Sequence, residues 1–221
     1  MKEGIIVVNK PEGITSHDVV EFVRRKLKIH KVGHAGTLDP IATGVLLILV
    51  GRYTKLFDHF LDFDKEYIAT LTFGKRTTSG DREGSVIETK DPSHLTEYKV
   101  KEVFYSYLGK ISQVPPMISA LKYRGRRLYS LARRGIEVER QPRSIVIKEI
   151  KLLEFNPPYI KFYLKCSKGT YVRQLAEDIA RDLNCVGYIS QIQRLSIGPF
   201  NLSQAFSLLQ INESCLQSYQ I

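Results

Sequence analysis

The chain has few cysteines, no long apolar run and fewer acidic than basic residues. Its three cysteines, Cys166, Cys185 and Cys215, are odd in number and widely spaced. This is typical of reduced thiols and argues against a disulfide framework or a CxxC metal site. The longest apolar run, residues 45–50, is far shorter than a membrane span, and the N-terminus lacks the apolar region of a signal peptide. We therefore expect a cytoplasmic protein without membrane attachment.

The deficit of acidic residues gives a net charge of +10, and such a surface attracts polyanions. Residues 122–143 contain eight basic residues against Glu137 and Glu139, a net charge of +6. The eight are Lys122, Arg124, Arg126, Arg127, Arg133, Arg134, Arg140 and Arg143. Tyr123 and Tyr129 lie among them, and this mixture suits looped RNA, whose bases stack and whose phosphates pair with cations. The alternative interpretation is a plain solvated face.

Histidine offers no metal site either. His30 and His34 are four residues apart, but Gly33 and a lysine lie between them, which argues against a zinc-binding helix. We expect no metal and no cofactor.

Residues 33–44, GHAGTLDPIATG, combine three glycines, a proline and the single carboxylate Asp39 directly before an apolar run. Glycine permits positive φ and close approach of another molecule, and a following proline disfavours helix at Asp39. These features predict a rigid loop that presents Asp39 and is anchored by a buried strand, which is a usual place for reactive residues. On the residues alone, the plainer interpretation is a turn in which Asp39 makes a local hydrogen bond.

Alternation and helical spacing predict the regular elements. Strands are expected over 4–9, 45–50, 65–74, 145–155 and 159–166, and helices over 16–27, 54–60, 96–108, 128–134, 170–184 and 203–210. Thr15 is expected to cap the first helix and Thr170 the fifth. Strands interrupted by helices without strict alternation indicate an α+β fold with a large mixed sheet.

Arg173 is predicted to lie in the first turn of the fifth helix, where a cation is disfavoured by the helix dipole. An arginine in that place suggests an anionic partner, although a solvent-facing arginine is the plainer interpretation. We interpret the polar segment 74–84 as structural.

Six segments together resemble the bacterial tRNA pseudouridine-55 synthase (TruB) family. Residues 33–44 resemble its catalytic motif, in which the aspartate is essential. The others, in chain order, are NKPEGITSHDVV, the Lys65-x-Tyr67 strand, QVPPMISALK, KGTYVR and RLSIGPF. The resemblance covers nearly the whole chain. It implies the pseudouridine synthase fold, a central, mostly antiparallel mixed sheet flanked by helices, with a basic RNA-binding lobe at about 113–143.

The resemblance also implies roles for single residues. Asp39 would act on the uridine, Arg173 would pair with it, and Tyr67 would stack on the base. Tyr171 and Ile192 would line the pocket, and His34 would fill the space that the flipped base leaves. Lys122, Arg126 and Arg127 are expected to contact the RNA. The implied reaction, conversion of uridine 55 in the tRNA T-loop to pseudouridine, is an isomerisation that uses no cofactor.

We expect residues 1–221 to form one catalytic domain without the PUA-type RNA-binding domain of longer family members, active as a monomer on the tRNA T-arm with no obligatory protein partner. Two alternatives stay open. One is a non-catalytic tRNA-binding or folding protein, and the other is a relative of the guide-RNA-dependent synthases. A metal-dependent nuclease would need clustered carboxylates, and only Asp39 is well placed.

Overall fold

The computed structural model describes residues 3–219. The strands are β1 (Gly4–Lys10), β2 (Val32–Ala35), β3 (Ala42–Val50), β4 (Lys65–Phe73), β5 (Lys75–Thr77), β6 (Val86–Thr89), β7 (Gly109–Gln113), β8 (Lys122–Tyr123), β9 (Arg126–Arg127), β10 (Arg143–Asn156), β11 (Tyr159–Cys166), β12 (Gly187–Ile197) and β13 (Phe200–Asn201). The helices are α1 (Ser16–Leu27), α2 (Phe57–Asp62), α3 (Glu97–Ser106), α4 (Leu128–Ala132) and α5 (Val172–Asp182). Short 3-10 turns cover Gly51–Leu56, Leu202–Gln204, Leu208–Gln210 and Glu213–Cys215.

The described chain divides into two compact units. The first unit comprises residues 3–68 and 191–219, and the second comprises residues 69–190. The chain passes between them within β4 and within β12.

The sheet of the first unit is built on β3. This strand pairs antiparallel with β1 and β2 and parallel with β12. Its side chains alternate between two apolar clusters, because successive residues of a strand face opposite sides. Leu46, Ile48 and Val50 pack with α1 in one cluster, whereas residues 45, 47 and 49 pack in the other with Phe60 of α2. The sheet is therefore covered on both faces.

The second unit contains the antiparallel series β11–β10–β7. The rings of Phe104 on α3 and Phe162 on β11 meet edge to face with centroids 5.7 Å apart. Tyr107, just after α3, donates a 2.6 Å hydrogen bond to Asp182 at the end of α5, and burial together with this carboxylate raises the pKa of the phenol. Two antiparallel hairpins, β5–β6 and β8–β9, complete the unit.

The predicted α+β class with a mixed, mostly antiparallel sheet is confirmed. The helix at Thr15 is also confirmed, since Thr15 and Asp18 form a reciprocal capping box at α1. Whether residues 1–221 act as a single domain stays a prediction.

Three local predictions were wrong. Residues 33–44 are not a loop throughout, because residues 33–35 belong to β2 and residues 42–44 to β3. Thr170 does not cap α5, because its hydroxyl donates to the Ser167 carbonyl and Tyr171 is the N-cap. Residues 203–210 form two separate 3-10 turns. Phe206 between those turns pairs with β1 through main-chain hydrogen bonds to Val7 and Asn9, which a continuous helix would not allow.

No helix among residues 3–219 combines the length and apolar character needed to cross a membrane.

Candidate active site

Asp39 lies in the connection between β2 and β3, residues 36–41, and its side chain is half-buried. The Ser16 hydroxyl fixes this connection from the start of α1. It donates to the Leu38 carbonyl at 3.0 Å and accepts from the Leu38 amide at 2.8 Å. The Asp39 carbonyl in turn accepts from the Ala42 amide at 3.0 Å. Main-chain groups on both sides of the carboxylate are thus held by specific partners.

Lys10, at the end of β1, supports the connection from a second direction. Its side chain is fully buried, and its ammonium donates to the carbonyls of Pro11, Ile14 and Pro40. The Pro40 carbonyl also accepts from the Gly13 amide at 2.9 Å. A buried ammonium is tolerated where its donors are satisfied, so Lys10 joins the turn after β1 to the residue that follows Asp39.

Arg194 of β12 contacts the start of the connection and the strand β3 that follows it. Its guanidinium donates through Nε to the Val45 carbonyl at 2.7 Å and through Nη2 to the Gly36 carbonyl at 2.9 Å. The side chain is 1% exposed. Sequence analysis included this arginine only within the segment RLSIGPF, and no local pattern distinguishes it.

Gly44 permits β12 to lie beside this region. It has φ +100°, and a Cβ at this position would lie 2.2 Å from the Arg194 carbonyl oxygen. Only glycine fits so close a main-chain approach. The parallel register then places Ile192 beside Ala42 and Arg194 beside Gly44.

The other predicted residues of the first unit occupy strands. His34 lies on β2 opposite Ile48, two residues before the connection, and is half-buried. Tyr67 is buried on β4. Ile192, half-buried on β12, lies next to the point where the connection enters β3. The first unit therefore brings His34 and Ile192 to the two ends of the Asp39 connection.

In the second unit, Arg173 is the second residue of α5 and is 5% exposed. Its guanidinium donates through Nη1 to the Ser79 carbonyl at 2.5 Å and through Nη2 to the Ile118 carbonyl at 3.0 Å. Its Nε lies 3.7 Å from Oδ2 of Asp81. The solvent-facing interpretation of Arg173 was therefore wrong, and an anionic partner is present. The predicted pairing with Asp39 stays a prediction.

Asp81 is a residue that sequence analysis missed, because segment 74–84 was interpreted as structural. Its carboxylate is buried and accepts from the Ser79 hydroxyl at 2.5 Å and the Glu83 amide at 3.1 Å. The Thr77 hydroxyl donates to the Asp81 carbonyl at 2.6 Å. The sequence did contain a signal for this residue, namely a carboxylate in a turn rich in glycine and hydroxyl side chains.

Glu177 of α5 lies behind this turn, since a Cβ on Gly80 would be 3.0 Å from its Oε1. Burial raises the pKa of the Glu177 carboxyl, and the positive charge of Arg76 opposes that rise. Both residues line a cavity of about 360 Å³ in the second unit. Most of the residues that line this cavity are polar or charged, and they include Lys90 and Glu88.

Tyr171, the N-cap of α5, is half-buried and fixed through its main chain. The Gln113 side-chain amide accepts from the Tyr171 amide at 2.9 Å and donates to the Tyr171 carbonyl at 3.2 Å. Gln113 is itself buried at the end of β7. This exchange joins the start of the basic lobe to the helix that carries Arg173.

The basic lobe, residues 113–143, carries cations on the hairpin β8–β9 and directly after α4. Lys122, Arg126 and Arg127 are all exposed. Arg127 also donates to the Ala120 carbonyl at 3.1 Å, so it helps to order the lobe. Two further arginines lie over tyrosine rings, Arg124 over Tyr123 at 5.4 Å and Arg133 over Tyr129 at 5.6 Å. Stacked cations of this kind offer flat, charged faces to nucleotides.

The first unit holds the half-buried carboxylate of Asp39 in place, and the second unit holds the buried guanidinium of Arg173, which is paired with Asp81. A carboxylate of this kind can act as a nucleophile or as a base. Within residues 3–219, no three His, Cys, Asp or Glu side chains lie where together they would hold a metal ion.

Comparison with known proteins identifies relatives over most of the chain. The profile of the TruB family pseudouridylate synthase N-terminal domain matches residues 24–172. The tRNA pseudouridine synthase B of Clostridium kluyveri is 48% identical over 219 residues, which cover 99% of this chain and 75% of the relative. That of Syntrophotalea carbinolica is 46% identical over 205 residues, which cover 93% of this chain and 67% of the relative.

Solved structures resemble the same region. A chain of a Cbf5–Nop10–Gar1 complex matches with a TM-score of 0.74 and 28% identity, covering 94% of this chain and 53% of its own length. A chain of an H/ACA RNP bound to a substrate RNA containing 2′-deoxyuridine matches with a TM-score of 0.69 and 26% identity, covering 93% and 51%. The protein therefore spans about half the length of these solved chains. From the matched profile and the identities above, the chain belongs to the TruB family of pseudouridylate synthases.

Proposed function

We propose that this protein converts a uridine of tRNA to pseudouridine, and that the target is position 55 in the T-loop. The observation that carries the proposal is the placement of Asp39. It is the carboxylate of the family's catalytic string, it is half-buried, and its connection is held on both sides by Ser16 and Lys10. Such rigid presentation is what a reacting group requires.

The reaction is an isomerisation. The N1–C1′ bond of uridine breaks, the uracil turns, and a C5–C1′ bond forms, while the proton on C5 is lost and N1 gains one. Asp39 serves as the carboxylate that attacks or stabilises the substrate. No atom is added to or lost from the nucleoside.

The remaining residues shape the pocket around this step. Arg173 supplies a positive charge for the Asp39 carboxylate, in the planar geometry with which a guanidinium meets a carboxylate. Tyr67 stacks on the uracil and its phenol assists proton transfer at the sugar. Tyr171 and Ile192 confine the detached base.

RNA binding is assigned to the basic lobe. The cations Lys122, Arg126 and Arg127 are exposed and contact phosphates of the T-arm. The target uridine leaves its stack to reach Asp39, and His34 occupies the vacated space. Flipping costs a few kcal/mol and is least costly in a loop, where pairing is weak.

We propose further that the protein acts in the cytoplasm as a monomer on tRNA, with no obligatory protein partner or guide RNA. The test is conversion by the purified protein alone, with its mass in solution measured by light scattering. Activity that appears only after a guide RNA or a second protein is added would contradict this part of the proposal.

The deciding experiment is pseudouridine mapping on an unmodified tRNA transcript, with the wild type compared to Asp39→Asn. The matched control is Asp58→Asn, since Asp58 is an exposed aspartate on α2 of the same unit. We expect conversion at the T-loop uridine with the wild type and the control, and none with Asp39→Asn. Filter binding should show that all three proteins still bind the transcript.

Two other outcomes are informative. Binding by the wild type without conversion would make this a non-catalytic tRNA-binding protein. Conversion at a uridine outside the T-loop would keep the chemistry and overturn the assigned target.

A further inference from the structure

We infer that Arg194 is a positioning residue for Asp39, because its guanidinium bridges the first residue of the connection that presents the carboxylate and the strand β3 that follows it. The inference rests on the proposed function. Gly36 lies three residues before Asp39 and Val45 six residues after it, and the one guanidinium donates to the carbonyls of both, at 2.9 Å and 2.7 Å. Arg194 thus closes the segment around Asp39 with a side-chain bridge.

Arg194 is itself held firmly. Its main chain pairs in parallel with Gly44, and its side chain is 1% exposed. The guanidinium packs against Gly36, where a Cβ would lie 3.5 Å from Nη1, which is an ordinary van der Waals distance. The paired strand and the buried, hydrogen-bonded side chain together fix the Asp39 connection to β12. Groups held in this way fix reacting geometry more closely than loops do.

The charge of Arg194 is met by main-chain carbonyls. Within residues 3–219, the structure gives this guanidinium no carboxylate partner within ion-pair distance. A guanidinium satisfies two separated carbonyls with its planar fork, whereas an ammonium directs its donors from one nitrogen. We therefore assign the positioning of Asp39 to the bridge between the two carbonyls and not to the positive charge. Arg194→Lys tests this, because lysine keeps the charge but lacks the planar fork.

The experiment compares the wild type with Arg194→Lys and Arg194→Met, and uses Arg52→Lys as the matched control. Arg52 is an arginine of the same unit that is exposed and paired with Glu3. Single-turnover pseudouridine formation, tRNA binding and amide exchange by mass spectrometry are measured on the intact chain. We expect Arg194→Lys to lower the rate of conversion about 100-fold, with the tRNA dissociation constant changed less than about threefold. Arg52→Lys should leave the rate, the binding and the exchange unchanged.

Amide exchange distinguishes positioning from general stability. In Arg194→Lys, exchange should rise in peptides covering 36–44 while residues 46–50 of β3 stay protected. Faster exchange across the whole unit, or an unchanged conversion rate despite faster exchange at 36–44, would overturn the inference. A conversion rate that falls without any local change in exchange would overturn it as well.

Failure of the proposed function has a different signature. A wild type that forms no pseudouridine contradicts the proposed reaction, but the exchange comparison still decides whether Arg194 orders the Asp39 connection. If Arg194→Met does not fold, Arg194→Lys alone supplies both measurements.

Discussion

Arg173 and Asp81 form a buried ion pair at the start of α5, with Nε 3.7 Å from Oδ2 and side-chain exposures of 5% and 7%. The same guanidinium donates to the carbonyls of Ser79 and Ile118. Arg173 therefore joins the β5–β6 turn to the first part of the basic lobe. Because Asp81 holds the Arg173 guanidinium in one orientation, it also fixes the position of the positive charge.

Asp81→Asn tests that relationship. The substitution removes the negative charge but keeps the size of the side chain, so Arg173 is left buried with less compensation. Removing one partner of a buried ion pair typically lowers the free energy of unfolding by about 3–5 kcal/mol. We expect a measurable loss of stability and a fall in the conversion rate of up to about 100-fold, because Arg173 shifts when its partner is lost. Urea denaturation and single-turnover assays measure the two effects.

The control for Asp81→Asn is Glu88→Gln. Glu88 pairs with Arg76 on the same hairpin at 2.8 Å, but both side chains are nearly half exposed. Such surface pairs contribute about 0–1 kcal/mol. A conversion rate that falls as much in Glu88→Gln as in Asp81→Asn would show that the hairpin as a whole matters, and not the buried pair.

Ser16→Ala removes both side-chain hydrogen bonds to Leu38. Because the site is buried, the Leu38 amide and carbonyl lose their partner without gaining water, which costs about 1–3 kcal/mol of the free energy of unfolding. Chemical denaturation measures this. Ser203→Ala is the control, since the Ser203 hydroxyl donates to Asn201 on the exposed surface, and we expect a change within about 0.5 kcal/mol. Equal losses would contradict the role assigned to Ser16.

Gly44→Ala and Gly13→Ala separate backbone strain from steric conflict. Both glycines have positive φ, +100° and +87°, but among residues 3–219 no atom apart from those of its chain neighbours lies within 4 Å of a Cβ built at Gly13. Gly13→Ala should therefore cost only the strain of a left-handed conformation, about 1–2 kcal/mol. At Gly44 the Cβ meets the Arg194 main chain at 2.2 Å, and we expect a loss above about 4 kcal/mol or no soluble protein. Similar melting temperatures for the two variants would refute this.

The basic lobe is tested by the salt dependence of tRNA binding. Each phosphate that the protein neutralises adds about 0.9 to the slope of log K against log salt for a duplex and about 0.7 for a single strand. We expect Arg126→Gln to weaken binding and to make the slope shallower by roughly the share of one phosphate. Lys101→Gln on α3 is the control, because Lys101 is already paired with Glu97 at 2.6 Å. An unchanged slope in Arg126→Gln would remove this residue from the RNA interface.

Glu177→Gln tests the raised pKa of this carboxyl. Burial raises the pKa above the ordinary value of 4.5, so the unfolded chain releases this proton more readily than the folded one does. The carboxyl therefore costs stability as the pH rises above about 4.5, and the cost is complete above the folded-state pKa. We expect Glu177→Gln to raise the melting temperature at about pH 7.5 and to leave it unchanged at about pH 4. A gain that is independent of pH would contradict this origin.

The sequence alone predicted the elements whose signal is local. Alternation predicted β10 and β11, and the cap at Thr15 with apolar spacing predicted α1, because strand period and helix capping depend on neighbouring residues. The string around Asp39 and the charge of residues 122–143 likewise predicted the family and its nucleic-acid partner. Each of these signals is carried by residues that are close together in the sequence.

Contacts between distant residues were decided only by the tertiary structure. Arg194 donates to Val45 and Gly36, 149 and 158 residues away, and Arg173 donates to Ser79, 94 residues away. No periodicity marks such partners, since each contact arises where packing brings a buried donor within reach of a distant carbonyl. The same reason explains why residues 203–210 have helix-like composition and yet form turns, for β1 takes the Phe206 backbone as its pairing partner. The sequence thus determined which groups are present, and packing determined which of them are held together.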